Sequence, residues 1–166
     1  MSYIKAYEDY FEELAGKYKP IGHTDDERRF ESMSQEAIIS GVRNNLNLTQ
    51  FCLLLLRFDM KLVKNGTRHY RQEFTAAFEI VKDIARNDLA KTETQDKALE
   101  YCEELIAHIQ NENFARAFPL GELIDDSIEF YPIEAIFDTC VGYGCEFKFF
   151  IGYNRVAKIK TQNWNE

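Results

Sequence analysis

Residues Gln50 to Lys82 read QFCLLLLRFDMKLVKNGTRHYRQEFTAAFEIVK, and this stretch decides the fold. From Cys52 the even positions run Cys52, Leu54, Leu56, Phe58, Met60 and Leu62, then resume as Tyr70, Phe74, Ala76, Phe78 and Ile80. Odd positions beside them include Arg57, Asp59, Lys61, Arg71, Glu73 and Glu79. Alternation with one apolar face marks half-buried antiparallel strands, and Asn65-Gly66 between the two runs is the strongest short hairpin signal. A two-residue loop there would set Phe58 opposite Glu73 and scramble the faces. A three-residue loop, Lys64-Asn65-Gly66, instead pairs Leu56 with Phe74, Leu54 with Ala76 and Cys52 with Phe78. It also puts Gly66 where a bulged turn needs positive φ. Arms of about 13 residues at ~3.3 Å each reach roughly 40 Å, so the hairpin is expected to project past its own domain.

Around it, the 166 residues are 45% hydrophobic and 14% aromatic, enough for one ordinary core. The expected organisation is a single α+β domain over 1–154 followed by a polar tail over 155–166. Its sheet is antiparallel, built on the long β-hairpin, with helices packed on one face. A formal charge of −8 argues against nonspecific binding to phosphate backbones, so no direct nucleic-acid contact is expected. The N-terminal stretch resembles no signal peptide, and no window approaches a membrane span, so a cytosolic protein is expected.

Residues Ser2 to Lys17 read as a helix, with Ile4, Tyr7, Phe11 and Leu14 at helical spacing. Tyr3 and Tyr10 fall off that stripe and suit an interface. Pro20 and Gly22 end the helix, and 23–30 reads as a loop or a helix cap. Ser34 to Val42 reads as a second short helix. Thr92 and Gln95 have the capping-box arrangement ahead of a helix carrying Leu99, Cys102, Leu105, Ile106 and Ile109 on one stripe. Ile128, Phe130 and Ile133 form a candidate strand that Pro132 assigns to an edge or a bend. The final strand, Cys145 to Tyr153, is apolar at its odd positions.

No catalytic constellation stands out, and the chain is expected not to be an enzyme and to need no cofactor. His23, His69 and His108 are scattered over different elements. Cys52, Cys102, Cys140 and Cys145 read as reduced packing thiols, since Cys140-x4-Cys145 lacks the spacing of a zinc knuckle. Asp125-Asp126 with Glu122 and Glu129 lacks an EF-hand pattern and reads as a solvated loop. Gly142-x-Gly144 precedes a strand and so lacks phosphate-binding context. The candidate partner contacts are Asp59, Lys61, Lys64, Asn65, Arg68, Tyr70, Arg71 and Glu73, at and near the hairpin tip. They read either as an electrostatic docking surface or as cross-strand pairs worth a fraction of a kcal/mol each.

The order of an N-terminal helix, long hairpin, amphipathic helix and C-terminal strands ending in a Gly-aromatic strand resembles the tail terminator, or tail-completion, proteins of long-tailed bacteriophages. The resemblance spans about Ser2 to Tyr153 as element order, not as a motif, and carries over no individual functional residue. It implies a homo-oligomeric ring, usually a hexamer, that caps the tail tube and joins it to the neck. Tube and connector proteins are the implied partners, and the virion is the implied location after assembly in the host cytoplasm. The segment from Gly22 to Asn47 and the acidic stretch before Ile128 depart from that pattern. Two other classes stay open: a cytosolic adaptor or immunity-type protein meeting a basic partner, and a small ligand-binding α+β domain.

Overall fold

A computed structural model describes residues 3–33, 46–65, 69–85, 87–137 and 139–151. In chain order the elements are α1 (Tyr3–Lys17), β1 (Phe30–Met33), β2 (Cys52–Leu56), β3 (Asp59–Asn65) and β4 (His69–Asp83). A short 3-10 turn (Asp88–Ala90) then leads into α2 (Lys91–Phe114), β5 (Glu122–Ile136) and β6 (Cys140–Ile151). The strands form one sheet in the order β1-β2-β4-β6-β5, and β3 pairs with the remaining length of β4. All pairings are antiparallel except that of β1 with β2. Tyr7, Phe11 and Leu14 of α1, and Ala98, Cys102, Leu105 and Ile109 of α2, pack into one core with the even residues of β4 and the odd residues of β6. This is the expected α+β arrangement, with both helices on one face.

The quoted stretch is nevertheless not one uninterrupted arm. A break at Arg57-Phe58 divides it into β2 and β3. In β3 the pairs are Met60 with Phe74, Lys61 with Glu73 and Asn65 with His69, which leaves three residues, 66–68, as the connection. The loop length matches the expectation, but the loop starts two residues later than Lys64. Its conformation lies outside the described residues. In β2 Leu55 faces Phe78 and Leu53 faces Ile80, so Leu56–Phe74, Leu54–Ala76 and Cys52–Phe78 do not form. One residue of slip moves a strand's side chains to the opposite face. Leu53 and Leu55 thus turn toward the helices, and Cys52 and Leu54 turn to a second cluster with Leu46, Leu48, Val81, Ile133 and Cys140. Four consecutive leucines satisfy both faces, so alternation could not fix the phase there.

Nor does the arm stand free. β6 pairs with β4 from Asp83 to Gln72, which leaves only the tip beyond the sheet. Three further expectations are corrected. Residues 30–33 form a strand too short for its periodicity to show, anchored by buried Phe30. The capping box does not form: α2 starts after Ala90, without a side-chain cap, and Gln95 Nε2 donates to the Ile133 carbonyl at 3.2 Å. The acidic stretch belongs to β5, where the register jumps between Ile124 and Glu129. Ser127 Oγ holds this bulge by donating to the Ile124 carbonyl (2.6 Å) and accepting from the Lys148 N–H (2.8 Å). β5 is an edge strand, as Pro132 requires. The helix expected from Ser34 to Val42 and the polar tail lie outside the described residues.

The face of the sheet away from the helices carries Glu73 and Glu79 beside the second apolar cluster. Gly144 sits beneath Tyr131, and a Cβ there would lie 2.3 Å from the ring. Tyr131 thereby crosses β6 and donates its O–H to Glu79 Oε1 at 3.3 Å. Glu79 Oε2 has no hydrogen-bond partner among the described residues, and burial raises the Glu79 carboxyl above its ordinary range. The native state therefore holds this proton more tightly than the unfolded chain does. Glu79 favours folding at acidic pH and loses that contribution as pH rises through its raised value. Glu79→Gln keeps the acceptor for Tyr131 and removes the charge. It should raise the urea midpoint at neutral pH and shrink the gain on acidification to about pH 5. An identical pH dependence in both proteins would contradict this account.

Candidate docking cavity at the hairpin end

β4 has 15 residues, about 50 Å at strand rise, whereas α1 with 15 residues spans about 22 Å. A helix that short cannot cover the whole apolar face of the hairpin. At the uncovered end lies a cavity of about 310 Å³. Tyr3, Ala6 and Tyr7 of α1 form one wall, Phe58, Phe74, Phe149 and Ile151 form the sheet side, and Pro119-Leu120-Gly121 closes the third side. Phe74 and Phe149 stack at 5.1 Å, and Phe58 meets Phe74 edge-on at 5.0 Å. Gly121 has φ +141°, and a Cβ there would sit 2.2 Å from the Phe150 carbonyl oxygen. Only glycine lets this strap lie against β6.

The lining is mostly apolar, and the Tyr7 hydroxyl in it is committed. Tyr7 O–H lies 3.1 Å from the Leu56 carbonyl and 3.4 Å from that of Ala77, and burial raises its pKa, so it stays protonated. Tyr3 (47%), which lines the cavity, and Met60 (51%) and Leu62 (57%) of β3 are exposed. Met60 pairs with Phe74 and Leu62 with Gln72, which places both on the helix side of the hairpin. Isolated exposed apolar residues are ordinary, but Met60 and Leu62 follow one another on the face of the strand paired with the cavity residue Phe74, a grouping of the kind that marks a binding surface.

The charged residues expected as partner contacts are mostly elsewhere. Lys61 and Glu73 form a cross-strand ion pair at 2.6 Å on the opposite face, with Glu73 nearly buried. Arg71 lies over the Phe150 ring at 5.5 Å and 4.0 Å from Glu122. Asp59 is exposed opposite Thr75, and Lys64 is exposed opposite Tyr70. The backbone of Asn65 pairs with His69, while Arg68 and the side chains of Asn65 and Tyr70 lie outside the described residues. Of the two tyrosines assigned to an interface, Tyr3 is exposed, but Tyr10 is tied to α2 by donating to Glu112 at 2.8 Å. Sequence reasoning missed the cavity itself. Its signal was an apolar parity extending through Met60 and Leu62, beyond the reach of the helix placed to cover it.

The remaining groups are used structurally. His23 Nδ1 accepts from the Arg29 N–H at 3.1 Å, and its ring lies beside Phe30. It borders an open polar cleft of about 640 Å³ between α1 and β1, which Glu8, Asp9, Glu12 and Arg28 also line. His108 sits 3.2 Å from Glu112 on the same helix and does not converge with His23, while the side chain of His69 lies outside the described residues. Burial pushes the Cys52 and Cys145 thiols up to about 12, and all four cysteines are buried thiols. Such thiols are protonated packing groups. Among the described residues no cluster of His, Cys, Asp or Glu could hold a metal ion, and no helix is long and apolar enough to cross a membrane.

Compared with known proteins, the chain matches no family model, no curated protein and no solved structure.

If the rim is surplus to folding, the two parts of this region should respond differently to substitution. Phe74→Ala, which removes the stacked ring, should cost about 3–5 kcal/mol in urea unfolding. Met60→Lys at the rim should change stability by less than about 0.5 kcal/mol. A rim substitution as costly as the core one would show that Met60 is covered in the free chain.

Proposed function

We propose that this chain is a structural assembly protein of the tail terminator kind, whose copies form a ring that caps a phage tail tube and joins it to the head connector. The observation that carries this reading is the exposure of Met60 and Leu62 on β3, a strand that pairs only with β4 among the described residues. An apolar strand with an open edge is the feature that proteins ordinarily suppress unless another chain completes it. The other edge of the sheet is blunted in the ways that discourage pairing. β5 carries Pro132 and a bulge containing Asp125 and Asp126. Two unlike edges favour head-to-tail contacts, and these close into rings when the rotation permits. Methionine and aromatic residues at the centre with charges such as Lys61 and Arg71 outside match the usual make-up of an interface.

A second reading rests on the cavity. At about 310 Å³ it lies at the lower end of small-ligand sites, so an apolar ligand-binding domain is the competing class. Native mass spectrometry separates the two. The assembly reading expects a closed homo-oligomer of several subunits, and Leu62→Glu should shift it to monomer without loss of fold. A chain that stays monomeric at high concentration, also with tail-tube protein added, would overturn the proposal.

A further inference from the structure

Half of the lining of the hairpin-end cavity is aromatic: Tyr3, Tyr7, Phe58, Phe74 and Phe149 are five of its ten residues. Phe74 and Phe149 lie nearly parallel, with 8° between their planes. Phe58 stands edge-on to Phe74, and Tyr7 stands edge-on to Phe58. Rings set at several angles suit another ring better than a flexible chain, because a planar aromatic ligand can take the same stacked and edge-on arrangements. The walls are also fixed before anything binds. Phe74 and Phe149 are only 3% and 2% exposed and belong to the main core, and Gly121 holds the strap against β6. Small-molecule sites are usually pre-formed in this way.

Polarity narrows the occupant further. No Asp, Glu, Lys, Arg or His is among the described residues that line the cavity, so a charged ligand would give up its hydration without gaining a partner. Water is also poorly held there. A buried water needs about two to four polar partners, and the Tyr7 O–H is already directed at the Leu56 and Ala77 carbonyls. Displacing loosely held water by an apolar group favours binding.

Size decides the rest. An apolar cavity of about 150 Å³ takes benzene, and this one, at about 310 Å³, has room for two fused rings. A stable macromolecular contact buries about 800 Å² on each partner. A hollow this small cannot supply such an area by itself, so it fits a small molecule.

We propose that this cavity binds a neutral, planar aromatic small molecule the size of two fused rings, held between the first turns of α1, Phe58 and Phe74 of the hairpin, and the Pro119–Gly121 strap. Such binding rests on the ligand-binding reading of the cavity, narrowed to one chemical class, and does not depend on ring formation.

Indole and 2-naphthol are the probes, and 1-octanol, apolar but not aromatic, is the contrast. Titrated into the full-length protein and followed by NMR, both aromatics should bind saturably, about tenfold more tightly than 1-octanol. They should also show nuclear Overhauser contacts to the Ala6 and Ile151 methyls. Ala6→Phe, which fills the cavity from α1, should abolish binding with an unchanged far-UV circular dichroism spectrum. The methyl contacts in the unsubstituted protein locate the site even if that variant does not fold. Binding of 1-octanol at the same methyls as tightly as the aromatics would overturn the aromatic class and leave the ligand-binding reading standing. No saturable binding of any of the three probes would remove both. Aromatic binding without these methyl contacts, or binding that survives in folded Ala6→Phe, would overturn the site.

Discussion

Everything in this molecule depends on β4 being held from both sides while its even-numbered face is buried. It pairs with β2 and β3 along one edge and with β6 along the other. Phe74, Ala76, Phe78 and Ile80 meet Phe147, Phe149 and both helices in one core. Every neighbouring choice follows from that strand. α1 and α2 present their apolar stripes to it, and β6 takes the register that stacks Phe149 on Phe74. The aromatic contacts then continue through Phe11, Phe78 and Phe147 toward the middle of the sheet.

The same strand explains the two irregularities next to it. β2 must cover Ile80 and Phe78 on the helix side and Val81 on the back, and a run of leucines does both. β3 needs only one apolar side, so the parity changes at the break before Asp59. Where the helices run out, the pattern does not. Met60 and Leu62 continue the buried face into solvent, and the Pro119–Gly121 strap and the first turns of α1 enclose the space beside them. The cavity is thus a product of unequal element lengths. On the reverse face Lys61 pairs with Glu73, while the helix side keeps Met60 and Leu62 exposed.

The sequence reveals most where one parity alone is apolar. The faces of β4 and β6, the stripe of α1 apart from Ile4, and the edge placement of Pro132 are all readable for that reason. β2 is not, because Leu53 to Leu56 suit either phase. β1 is four residues long and shows no period. Lys61 and Glu73 both stand out as charged hairpin residues, yet the expected register puts Lys61 opposite His69, and only the two-residue shift brings it to Glu73. Thr92 offers a cap that the 3-10 turn before α2 makes unnecessary. The cavity joins Tyr3, Phe58, Leu120 and Ile151, residues far apart in the chain, and no local pattern shows their convergence.

The central claim is that the hairpin end, uncovered in the single chain, is where copies meet. Hydrogen exchange along β3, read in dilute and concentrated protein, tests it most directly. The account predicts fast exchange for the outward β3 amides in dilute protein and clear protection on concentration, with β4 and β6 protected in both. β3 amides as protected as those of β4 in dilute protein, or unprotected at every concentration, would contradict it.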